Sequence, residues 1–203
     1  DMVANQVSDT GGNFVAAGTL ATFTVNILVC SGGAPQDSVY FSNFETDDGG
    51  FVESGFGDWE RGAPILGVFE FCGTTPTAEP LGAFSGTSVW ATNLDGCYQN
   101  SGDASVISRT FDLSNLQAPI TFSWQDWHHV FTSFDIAQVR VNGNAIYSVP
   151  NANFSTAYQL ESIDLSPFAG QSNVVVDFRL FASTVVNRAG WYIDDVRVQG
   201  CAA

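Results

Sequence analysis

An all-β sandwich of antiparallel strands is the fold this sequence predicts. β-Branched and aromatic residues alternate with polar ones along most of the chain, and no stretch keeps a helical period for three turns. Pro, Gly and Asn punctuate the gaps. With 45% of its residues apolar the chain can build a core, which removes disorder as a reading. Many short strands without helices must bury their apolar faces against one another, and two packed sheets do this.

The elements follow in order. A strand at 21–29 (ATFTVNILV) precedes a Gly/Pro linker at 31–37 (SGGAPQD). Residues 1–30 are too short to fold alone. They are either the last strand of a preceding domain or an extra strand on the main sandwich, and 31–203 form the sandwich itself. Residues 1–13 (DMVANQVSDTGGN) look like a start within a longer protein. Strands are predicted at 38–45, 66–71, 88–93, 105–113, 119–125, 134–142, 145–149, 158–165, 174–183 and 190–199. Asn142-Gly143-Asn144 reads as a tight hairpin, because Asn and Gly tolerate the positive φ that such turns need.

Charge narrows the partners. Six Arg, no Lys and 21 acids give a net charge of −15, which repels a phosphate backbone and excludes nucleic acid. The same excess makes hard cations natural small partners. No apolar run of about 18 residues is present to span a membrane. Cys30, Cys72, Cys97 and Cys201 lie far apart without a close pair to seed a zinc site. An even, widely spaced set suits two disulfides and an oxidising, extracellular compartment, so the protein is expected to be secreted. Three pairings exist. Cys30–Cys201 with Cys72–Cys97 is favoured, since a closed sandwich brings its outer strands together.

Several clusters invite a chemical reading. Glu45, Asp47 and Asp48 place three carboxylates in a Gly-ended loop, and Asp194 and Asp195 add two more near the chain's other end. Crowded carboxylates without a basic neighbour repel unless a cation sits among them, and calcium takes six to eight such oxygens. Asp194 and Asp195 point to opposite faces of one strand, so one of them is expected to face the loop. The competing reading is a solvated acidic turn. Asn93-Leu94-Asp95-Gly96 with Asp103 is a second acidic stretch that could hold another ion, and an ordinary Asx turn is the preferred reading. Gly86-Thr87-Ser88 resembles a serine-peptidase nucleophile stretch, but His128 and His129 lack the context of a positioned base, so Ser88 is expected to start a strand. No H-E-x-x-H is present. Glu53, Asp58, Glu60 and Glu70 offer acids without a spacing that fixes a glycosidase pair. No catalytic residue is assigned. Trp127 and His128, with Phe131, read as an exposed loop after a core strand or as a ligand-facing aromatic rim. Trp59 is a further candidate for glycan stacking.

Residues 40–199 carry a resemblance. YFSNFETDDGGFVESGFGDWERGAP opens this block, GTSVWATNLDGCYQN lies in its middle, and GWYIDDVRVQ closes it. In that order these segments resemble the MAM-like jelly-roll domains appended to secreted bacterial peptidases of the immune inhibitor A type. More distantly, they are similar to calcium-containing jelly-roll carbohydrate-binding modules. The resemblance implies a jelly roll whose first and last strands are neighbours. It also implies a structural Ca2+ where they meet, held by Glu45 with Asp194, Asp195 or both. The Cys72–Cys97 pair is not part of the resemblance.

Together these readings predict a jelly-roll β-sandwich acting as a non-catalytic, calcium-binding accessory domain of a secreted bacterial peptidase or adhesin. Its partners would be a protein or glycan surface and the neighbouring domains of the same chain. The alternative is a carbohydrate-binding module of the calcium jelly-roll type.

Overall fold

The computed structural model describes residues 30, 35–65, 71–72, 75–76, 80, 82–150 and 155–203. The expected strand at 21–29 and most of the strand at 66–71 lie outside these residues, as does nearly all of the 1–30 segment.

Two antiparallel sheets form, as expected. The strands in chain order are β1 (Pro35–Ser42), β2 (Val52–Gly55), β3 (Glu60–Gly62), β4 (Phe71–Cys72), β5 (Thr75–Pro76), β6 (Val89–Ala91) and β7 (Asp103–Phe111). They continue with β8 (Leu116–His129), β9 (Ile136–Val141), β10 (Asn144–Ser148), β11 (Gln159–Asp164), β12 (Val174–Ala182) and β13 (Gly190–Ala202). One sheet runs β11-β8-β13-β6-β3, with β1 also on β13, and the other runs β10-β9-β12-β7-β2. The first described strand pairs with the last through Tyr40↔Val198 and Ser42↔Val196, which is the jelly-roll closure. Both favoured disulfides are present, Cys30–Cys201 and Cys72–Cys97.

Side-chain alternation explains which faces meet. Ile120, Phe122 and Trp124 of β8 are fully buried, while Thr121, Ser123 and Gln125 face outward. Phe178 of β12 is the hub between the sheets, with the rings of Phe51, Trp59, Phe122, Trp124 and Trp191 at centroid distances of 5.4–6.4 Å. Truncating such a residue costs about 3–5 kcal/mol. Asn142 (φ 49°) and Gly143 (φ 79°) make the expected hairpin between β9 and β10.

Several boundaries differ from expectation, each for a local reason. β1 stops at Ser42, short of residue 45, because Phe44 turns left-handed (φ 57°) to bury its ring. β8 runs through His129, so His128 and His129 belong to a strand and not to an exposed loop. β2 (VESG) and β3 (ERG) went unseen in the sequence, since β2 is exposed at every position and neither has an apolar alternation to read.

Candidate functional site

The loop at residues 82–88 bridges Glu45, just after β1, and the Asp194–Asp195 bulge of the neighbouring β13. From the β1 side, Glu45 accepts hydrogen bonds from Thr87 N (2.8 Å), Thr87 Oγ1 (3.0 Å) and Ser88 N (2.6 Å). The Ser88 and Thr87 amides hold its carboxyl below the usual range. Gly86, just before them, has φ 61°, and a Cβ there would lie 2.4 Å from the Glu45 carboxyl carbon. Only glycine lets the loop come this close.

From the β13 side, Asp194 Oδ2 accepts from Ser85 N (3.0 Å) and its Oδ1 from Asp195 N (2.7 Å). Asp195 Oδ1 accepts from Ser85 Oγ (2.6 Å). Both carboxylates therefore reach one loop residue, which corrects the expectation that they point to opposite faces. The cause is a bulge: the register shifts between Asp194 and Arg197, and Asp195 takes φ 46°. Asp194 is fully buried, and burial pushes its carboxyl up to about 7 against the pull of the Ser85 and Asp195 amides.

Asp47 and Asp48 lie elsewhere in function. Each caps its own turn, accepting from Gly49 N (2.9 Å) and Gly50 N (2.7 Å). Tyr40 and Arg109 bond the Gly49 carbonyl, and Trp90 Nε1 donates to the Asp48 carbonyl (3.0 Å). The five predicted acids thus fall into separate places: a capped turn, Glu45 on Thr87 and Ser88, and Asp194 with Asp195 on Ser85. Among the described residues no three His, Cys, Asp or Glu side chains gather closely enough to hold a metal.

Asp126, 1% exposed at the end of β8, accepts from Trp124 Nε1 (3.0 Å) and Trp191 Nε1 (2.6 Å) and pairs with His128 Nδ1 (2.5 Å). Ser155 Oγ lies 3.5 Å from the same Nδ1. A catalytic triad needs the acid and the serine on opposite ring nitrogens, and here both address one. The set instead closes one end of the core. An acid between Trp124 and Trp127 in an apolar strand was the signal of a buried acceptor, and it was not read as one.

The aromatic candidates are corrected by burial. Trp59 and Trp127 are each 2% exposed, so neither offers an open stacking face. Trp59 packs on Phe178 and Trp191, and Trp127 sits edge-on to Tyr192 (5.3 Å). Asp95 N donates to Asn93 Oδ1 (2.9 Å), the expected Asx turn, and Ser88 leads into β6. Glu53, Asp58 and Glu60 each accept a backbone N–H, from Trp59, Gln99 and Leu94.

Two further surfaces among the described residues are open. On the outer face of the β8–β13 sheet, Ser123, Gln125, Asp195, Arg197 and Gln199 line a groove of about 260 Å³ rimmed by Phe41 and Leu160. Arg197 lies over the Phe41 ring at 4.8 Å. Apart from Asp195, which stands out by charge, the sequence analysis gives none of these residues a role. The second surface is a cleft between the 82–84 and 156–158 segments.

No family model matches the chain. Bacillopeptidase F of Bacillus subtilis (strain 168) is 30% identical over 199 residues, covering 94% of this chain and 12% of that protein. The chain thus aligns to a small region of a much longer protein bearing a peptidase name, in line with the expected kinship to peptidase-associated domains. Among solved structures, the K1 cleaved adhesin domain of Lys-gingipain from Porphyromonas gingivalis W83 is similar at TM-score 0.49 and 14% identity, over 79% of this chain and 96% of that one. The CBM22-1 xylan-binding domain of Paenibacillus barcinonensis Xyn10C is similar at TM-score 0.44 and 12% identity, over 86% and 99%.

Proposed function

We propose that the chain is a non-catalytic, MAM-like binding domain of a secreted bacterial multidomain protein, and that it engages a protein or glycan surface. The groove beside Arg197 carries this reading. Amide, hydroxyl, carboxylate and guanidinium groups stand on a sheet, rimmed by two apolar side chains, and this is a binding surface rather than a reaction centre. Alignment to 12% of bacillopeptidase F supports a module within a longer chain.

The reading includes a structural Ca2+. Buried Asp194 and its neighbour Asp195 would supply two carboxylates, and exposed Glu45 would join them only with a shift of the 82–88 loop, because no three acidic side chains gather among the described residues and the loop meets all three through N–H and O–H donors; no basic side chain hydrogen-bonds any of these carboxylates among the described contacts. Asp47 and Asp48, spent on their own turn, are left out of the set. Bound at this place, the ion would tie the end of β1 to β13 through the loop.

A melting series tests the metal. Calcium at about 100 times its dissociation constant would add roughly 2.7 kcal/mol, or about 5–10 °C for a domain of this size. Asp194→Asn and Glu45→Ala should erase that rise. Equal melting in calcium and in chelator, with no metal found by elemental analysis, would remove calcium from the reading.

The second reading, a carbohydrate-binding module, is favoured by Gln125 and Arg197 standing beside the half-exposed Phe41 ring. Planar polar groups next to an aromatic ring suit a sugar's hydroxyl edge and apolar face. Retention on insoluble cellulose, xylan or chitin that Gln125→Ala abolishes, with folding intact, would select it. No retention on any of the three would leave the protein-binding reading.

A further inference from the structure

The cleft between residues 82–84 and 156–158 holds about 350 Å³ and shares no lining residue with the Arg197 groove. Its aromatic walls are Phe84, Tyr158 and Trp127. The Phe84 ring is 48% exposed and sits 6.0 Å from that of Tyr158, edge to face. The Tyr158 phenol oxygen is buried and has no hydrogen-bond partner among the described residues, a costly state for a polar atom.

Such a site attracts cations, because ring faces favour positive charge and the chain as a whole carries a net charge of −15. The chain uses this pairing repeatedly: Arg109, Arg179, Arg188 and Arg197 lie 4.3–5.7 Å from the centroids of Tyr40, Phe181, Phe131 and Phe41. Arg61 bonds the Phe44 carbonyl and Arg140 pairs with Asp177. All six arginines are thus engaged away from Phe84 and Tyr158, and the chain has no lysine.

We propose that the cleft receives an arginine side chain of a partner polypeptide, its guanidinium against the Phe84 and Tyr158 rings. Arginine fits better than lysine because its planar, weakly hydrated head stacks on rings while keeping donors at its edge. The inference rests on the chain being a binding domain, but on neither its metal nor the Arg197 groove.

The test is an NMR titration of the indole N–H signals with Ac-Ala-Arg-Ala-NH2, against the citrulline peptide of the same shape without the charge. The arginine peptide should shift the Trp127 signal saturably, in calcium and in chelator alike, with the citrulline peptide at least about tenfold weaker. Phe84→Ala should remove most of the affinity at unchanged melting temperature, and Tyr158→Phe, which keeps the ring, should leave it unchanged. Equal shifts from both peptides would make the cleft merely apolar, and no shift would leave it without this role. A shift from cello-oligosaccharide alone would make it a glycan site. Each of these three results overturns the proposal, and binding that Gln125→Ala abolishes would survive all of them.

Discussion

Gly86 and Glu45 form one unit, and the unit fails if either changes. Gly86→Ala forces a Cβ into the carboxyl group and strains a left-handed position. Glu45 would swing away from Thr87 and Ser88, so the denaturant midpoint of Gly86→Ala should fall below that of the parent. His129 sets a different dependence. Burial, with Arg188 and His128 nearby, lowers its pKa to about 4 from an unfolded value of 6.5. The unfolded chain binds the proton more readily between these values, so the contribution is whole above about pH 6.5 and lost as the pH falls toward 4. Melting temperatures of His129→Gln against the parent should converge as the pH drops through that window; parallel curves would show that the residue does not titrate differently on folding. At this scale the sequence was half legible. Glu45, Asp194 and Asp195 stood out by charge, whereas Ser85, which joins the last two, is an ordinary serine in a loop. Trp59 and Trp127 misled because composition counts aromatic rings without showing which face is covered.

Among the elements, β13 shows why alternation alone could not place the acids. Trp191 and Ile193 point inward before the bulge, and Val196 and Val198 point inward after it. The extra residue, Asp195, switches parity while keeping the apolar face on the core. GWYIDDVRV contains both apolar pairs, yet a strict period of two runs through them out of phase. Long inward-facing strands such as β7, β8 and β12 were visible because their apolar residues face a sheet-sized core. β2 and β3 escaped because a short, exposed edge strand has backbone partners but no buried face to leave a pattern.

Across the whole molecule, disulfides and closure act together. In the chain-entropy account, linking residues 171 apart removes about 5 kcal/mol worth of unfolded freedom, and a separation of 25 about 3–4 kcal/mol. Cys30→Ser with Cys201→Ser should therefore lower stability more than Cys72→Ser with Cys97→Ser, as read by guanidinium midpoints; the opposite order would show that native contacts outweigh loop length. The sandwich was legible because a two-sheet fold leaves few ways to bury so many alternating strands, and the pairing of its first and last strands was implied by the resemblance of residues 40–199. The cleft was not, since it is made by segments more than 70 positions apart.

The Cys30–Cys201 bridge also has a mechanical consequence. Tension drawn along the polypeptide enters the domain at one cysteine and leaves at the other through a covalent link. The 170 residues between them are shunted out of the load path. While that bond is intact, a partner or surface tugging on the chain can swing the sandwich as a bead but cannot unravel it, and its binding faces keep their shape under strain.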